Sequence, residues 1–150
     1  MMKRLALILI IPFVATQCIK KPIFDISPEI IKTAIDTNFV ISGIDSLSVR
    51  IDFQDGDGDI GLKNGETGVN AYLMDSRTGF ALSYKIPYIS ANASHEAVSG
   101  SVWFTIEPFS INCRPDHIGF DTLHYEIYIV DRAGHESNHA KTDDIIIQCQ

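Results

Sequence analysis

The chain has 150 residues, 45% of them apolar and 21% charged, with a formal net charge of −7. That is enough for one globular core, and it excludes a collagen-like repeat, a polytopic membrane protein and a disordered chain. The acidic balance, with Lys and Arg scattered along the chain, excludes a nucleic-acid-binding role, which needs a basic face for phosphates.

The first seventeen residues read as an address. Lys3 and Arg4 precede an apolar run from Leu5 to Val14 that only Pro12 interrupts. A spanning helix needs about twenty apolar residues, whereas an export signal carries an apolar stretch of about 7–15. Val14-Ala15-Thr16-Gln17-Cys18 resembles a bacterial lipobox, although Thr16 and Gln17 stand where small residues are commoner. The resemblance implies that residues 1–17 are a cleaved lipoprotein signal peptide and that Cys18 carries acyl chains. Residues 18–27 would then be a lipidated tether and residues 28–150 the folded domain. Several acyl chains hold a protein on a membrane far more firmly than one, because each buried methylene adds about 0.8 kcal/mol. The expected location is the cell envelope, at the outer membrane, on its periplasmic or its surface face. The membrane partner is then reached through the lipid anchor.

From Pro28 to Thr37 the apolar spacing is helical, over a short span. Beyond it the hydrophobic period is mostly two. Asn38 to Ile44 is a weak strand candidate, and Ser46 to Phe53 a strong one, with Leu47, Val49, Ile51 and Phe53 alternating with polar residues. That is the pattern of a half-buried antiparallel strand. Val69 to Met74 and Phe80 to Ile86 are weaker candidates. Ser101 to Glu107, Leu123 to Ile129 and Asp144 to Cys149 are rich in β-branched and aromatic residues. Turn formers such as Asn64-Gly65, Thr78-Gly79 and Ala133-Gly134 punctuate these runs. About seven strands at this spacing predict an all-β fold, a single antiparallel β-sandwich, with a small barrel as the competitor.

The densest chemistry lies between Asp55 and Glu66. Asp55, Asp57 and Asp59 alternate with Gly56 and Gly58, and three carboxylates so close repel one another unless a cation gathers them or water surrounds them. Calcium takes six to eight oxygens in flexible geometry and suits such a loop better than magnesium, which prefers an octahedron that keeps several waters. Counted from Asp55, acids fall at positions 1, 3, 5 and 12, the last being Glu66, with the Gly61 carbonyl at position 7. This order resembles an EF-hand loop. It departs from one at Ile60, where that motif needs glycine, and in its flanks, which read as strands, so only the ligand logic is carried over. The competing reading is a solvated turn in which Asp-Gly pairs reverse the chain.

The run Asp52-Phe53-Gln54-Asp55-Gly56-Asp57-Gly58-Asp59-Ile60-Gly61, the later Asp131-Arg132-Ala133-Gly134 with Ser137-Asn138, and the lipobox together resemble small exported lipoproteins of the Bacteroidetes type. The resemblance implies an immunoglobulin-like or fibronectin-III-like sandwich, no enzymatic activity, and a role for Asp131 as a metal ligand between loops. An Asx-capped turn accounts for Asp131 equally well.

Three cysteines leave an odd one, which lipidation of Cys18 absorbs. Cys113 and Cys149 remain, and in an oxidising compartment a disulfide is the default. Separate thiols or metal ligands are the alternative, although neither cysteine has a second Cys or His at finger spacing. His135-Glu136-Ser137-Asn138-His139 matches H-E-x-x-H letter for letter. Zinc hydrolysis needs both histidines on one helical face, yet Gly134 precedes the segment, Ser-Asn interrupts it, and no apolar face accompanies it. The expected function is a non-enzymatic, lipid-anchored envelope protein, stabilised by Ca2+, with a structural, adhesive or binding role toward a protein or glycan. The alternatives are an envelope hydrolase or carbohydrate-processing enzyme using the loop carboxylates or the His135–His139 segment, and a small-ligand carrier with a barrel interior.

Overall fold

The computed structural model describes residues 24–89 and 96–150, so the signal peptide, Cys18 and most of the tether lie outside the described residues. Ten strands account for the regular structure there: β1 (Glu29–Ile35), β2 (Phe39–Ile41), β3 (Leu47–Asp55), β4 (Ala71–Asp75), β5 (Ala81–Tyr84), β6 (Val98–Ile106), β7 (Phe120–Leu123), β8 (Tyr125–Ile129), β9 (Ala140–Lys141) and β10 (Ile145–Gln148). One 3-10 turn, Pro108–Ser110, follows β6. The fold is all-β and sandwich-like, as expected, but with about ten strands rather than seven.

One layer is the antiparallel sheet β1-β3-β6. The other combines β5-β4-β8-β9 and β2-β10-β7. Only His124 separates β7 from β8. Both β9 and β10 pair with the same edge of that broken strand, Lys141 opposite Glu126 and Ile145 opposite Leu123. All of the strand pairs are antiparallel except β2 with β10, which is parallel.

The period-two pattern of β3 is realised in full. Leu47, Val49, Ile51 and Phe53 are buried while the residues between them are not. They meet Ile127, Ile129, Ile145, Ile147 and Tyr125 from the other layer in one core. Each such side chain contributes about 1.5–3 kcal/mol by leaving water. The Cys113–Cys149 disulfide is formed, with its Cα atoms 5.7 Å apart, and ties the end of β10 to the segment after the 3-10 turn. The chain-entropy account gives a loop of this size about 3–4 kcal/mol.

The segment from Pro28 to Thr37 is strand β1 and not a helix. Its register against β3 jumps from Ile30 opposite Phe53 to Lys32 opposite Asp52, leaving Ile31 as an extra residue. A bulge of this kind breaks the alternation of faces. Ile30 is buried and Ile31 exposed, and the interrupted pattern imitates helical spacing. The remaining additions to the strand count are β9, only two residues long, and the separation of β7 from β8.

Candidate metal centre

The alternation of β3 runs one step beyond its last apolar residue. After Phe53 the next inward position is Asp55, whose side chain is therefore delivered into the sandwich, 0% exposed. The chain then turns, with Gly58 at φ 68° and Gly61 at φ 84°, a region that L side chains rarely enter. Ile60 plugs into the core between them and fixes the loop. Gly61 also backs onto the Pro87 carbonyl so closely that a Cβ has no room, and Gly56 is covered in the same way by the backbone oxygens of Phe24 and Asp25. The glycines are thus needed for close backbone approach as much as for reversing the chain.

The loop brings Asp55, Asp57 and Asp59 together, with one carboxylate oxygen of each lying within 4.8 Å of the others. Both oxygens of Asp55, and one each of Asp57 and Asp59, are buried without a hydrogen-bond partner. A buried polar atom left unpaired costs about 1–3 kcal/mol, more when it is charged. Burial first, then the charges of Asp57 and Asp59, push the Asp55 carboxyl up to about 6. The Asp59 N–H leans against this shift without reaching hydrogen-bond geometry. Asp59 is raised too, by burial and then by Asp131. Three acidic oxygens that converge without donors are the donor set of a hard cation.

The second loop, after β8, closes over the first. The Arg132 N–H donates to the Asp59 carbonyl at 3.3 Å. The Arg132 guanidinium holds the carbonyls of Ile60 and Gly61 at 3.2 and 3.0 Å and stacks over Tyr88, 5.1 Å from the ring centre. Asp131 is close enough to raise both Asp55 and Asp59. Each of its oxygens already accepts a hydrogen bond from His135, one from the backbone N–H and one from Nδ1, both at 2.8 Å. It stands beside the acidic group as a neighbour with lone pairs to spare. Gly61 directs its carbonyl to Arg132. Glu66 lies on its own exposed turn, where its carboxylate accepts from the Lys63 N–H at 2.7 Å. Glu66 is not part of the converging set.

Residues 135–139 form no helix. His135 is bound to Asp131, while His139 lies between Glu126 and Glu136, at 2.8 and 2.9 Å, and stacks on Tyr128. The two histidines therefore serve different carboxylates. Two features escaped the sequence reading. One is the clamp made by Arg132. The other is a buried ion network at the opposite end of β4 and β8, made of Asp75, Arg77, Arg114 and Asp121. Its two halves, Asp75 with Arg77 and Arg114 with Asp121, are too far apart in the chain to form a motif, so only the alternation that buries Asp121 within β7 carries any signal. No protein-family model matches the chain, and neither a curated protein nor a solved structure is significantly similar to it.

Proposed function

We propose that this protein is a non-enzymatic, lipid-anchored component of the cell envelope whose sandwich takes up Ca2+ in the Asp55–Asp59 loop and presents a sheet face or loop tip to a protein or glycan. The observation that carries the metal reading is Asp55: a fully buried carboxylate, both oxygens unpartnered, beside two further acids. Asp55, Asp57 and Asp59 would hold the ion, backbone carbonyls and water would complete its six to eight oxygens, and Asp131 would orient the second loop against it. The bound ion would neutralise the loop and lock two inter-strand connections together.

The presenting face is the outer side of β1-β3-β6. Trp103 is 56% exposed there, with the Arg50 guanidinium 5.7 Å from its ring centre. An exposed aromatic plane flanked by charge is a common binding element for sugars and peptides.

Scanning calorimetry of the full chain in millimolar calcium and in chelator tests the reading. Calcium at about a hundred times its Kd adds about 2.7 kcal/mol and raises Tm by several degrees. Asp55→Asn removes that calcium dependence and leaves the metal-free protein more stable than wild type, because an uncompensated buried charge is gone. A wild-type Tm indifferent to calcium overturns the proposal.

A further inference from the structure

The chain enters the sandwich at its metal end. Glu29, the first residue of β1, lies opposite Gln54, next to Asp55, and Pro28 before it is already buried. Just ahead of Pro28, the Phe24 and Asp25 carbonyls lie over Gly56, where they leave no room for a Cβ. That Cβ would stand nearer to the Asp25 oxygen than to its carbonyl carbon, so the oxygen end faces the acidic loop. Gly56 lies outside the left-handed region, and its missing side chain therefore serves this contact rather than a turn. Asp25 shapes the segment, its Oδ1 accepting from the Ser27 N–H at 3.0 Å.

Electrostatics make the contact depend on the charge of the loop. Gly56 sits between Asp55 and Asp57, and Asp55 is fully buried with both oxygens unpartnered. Carbonyl oxygens pressed against converging carboxylates add negative potential where there is already too much. A divalent cation becomes the largest local charge and reverses that balance, attracting acids and carbonyl dipoles together. Seating the segment and binding the ion then favour one another, and by linkage each strengthens the other by the same factor.

We propose that calcium in the Asp55–Asp59 loop seats the Phe24–Ser27 segment on Gly56, so that ion occupancy and the attachment of the tether rise and fall together. This rests on the calcium site proposed above. For a chain anchored at Cys18, seating leaves residues 18–23 as the free link, about 20 Å when fully extended. Release frees residues 18–27, about 35 Å. Calcium thus sets how far the sandwich can move from its anchor.

Hydrogen exchange of the full chain in phosphatidylcholine nanodiscs, read by mass spectrometry, and isothermal titration with calcium test this together. Calcium binds wild type and slows exchange of the amides from Asp25 to Ser27 about tenfold. Gly56→Ala keeps every acid of the loop but puts a methyl where the carbonyl oxygens lie. It removes the slowing and raises the calcium Kd about tenfold. A second pair of variants leaves the loop itself untouched. Asp25→Asn and Asp25→Ala lose the same charge at an exposed position, and only asparagine keeps an acceptor for the Ser27 N–H. Asp25→Ala therefore binds calcium about threefold more weakly than Asp25→Asn. Calcium binding without slower exchange at residues 25–27 overturns the inference and leaves the calcium site standing. Equal calcium affinity of wild type and Gly56→Ala, or of the two Asp25 variants, overturns it as well. A wild type that binds no calcium removes both the site and the coupling.

Discussion

Asp55 and Asp121 are both buried carboxylates, at 0% and 2% exposure, and their surroundings treat them in opposite ways. Burial works to raise Asp121, but hydrogen bonds from the Arg114 side chain, from the backbone N–H groups of Arg114 and Thr122, and from Arg77 outweigh it and hold the group well below the usual carboxylate range. Asp55 has no such donors. One acid is a finished structural ion pair and the other carries charge that only an added cation or proton relieves. Asp121→Asn tests the first half of this contrast. It leaves Arg77, with a side chain only 6% exposed, short of an anion, and breaking a buried pair in this way costs about 3–5 kcal/mol. The urea midpoint should fall accordingly at unchanged slope. A midpoint within error of wild type would show that Asp75 alone satisfies Arg77.

Among the elements, β1 is held on one side by its pairing with β3 and on the other by a single side chain. Asn138 donates from Nδ2 to the Ile30 carbonyl at 3.1 Å and accepts from the Ile30 N–H at 2.7 Å, so its amide replaces a strand partner where β9 is too short to supply one. Thr33 adds a hydroxyl bond to the Lys141 carbonyl at 2.6 Å. Together they close the edge between the two layers. Asn138→Ala orphans both backbone groups of Ile30 and should cost about 1–3 kcal/mol. The measurable sign is faster amide exchange at Ile30, by about tenfold or more, with the amides of β4 and β8 little changed. Equal acceleration across the whole core would mean that β1 does not open on its own. This strand was also the least legible in the sequence, because the bulge at Ile31 hides its period. By contrast, the uninterrupted alternation of β3 was legible from Leu47 to Phe53, and the structure carries it one inward step further, to Asp55.

For the molecule as a whole, the pH dependence of stability should differ with and without calcium. Asp55 is raised from 3.8 to about 6. A carboxyl raised on folding favours the fold below its unfolded value and loses that contribution as pH climbs through the folded one. His135 is raised by its bond to Asp131, and His139 by Glu136 and then Glu126. Their contributions are present below the ordinary histidine value and disappear as pH rises past the shifted one. Asp75 and Asp121 are lowered, so they stabilise above the ordinary aspartate value and fail only in stronger acid. The metal-free protein should therefore be most stable near about pH 5 and lose on the order of 1 kcal/mol from Asp55 alone by about pH 8. Calcium binds the ionised acid and grows more effective over the same range, so it should flatten or reverse the decline. Melting curves at both pH values, with calcium and with chelator, decide this. A metal-free Tm that increases from pH 5 to pH 8 contradicts it.

The sequence alone determined the all-β class, the strong strands, the acidic glycine loop and the cysteine pair. These rest on local signals: a period of two, turn residues with their own φ preferences, and a count of thiols. Tertiary structure decided which distant groups meet. It set Asp131 and Arg132 against the Asp55 loop, joined Asp75, Arg77, Arg114 and Asp121 into one network, and left the buried Tyr125 hydroxyl without a hydrogen-bond partner. No local pattern encodes such encounters, because they follow from how two sheets stack and from where each connection must cross between them.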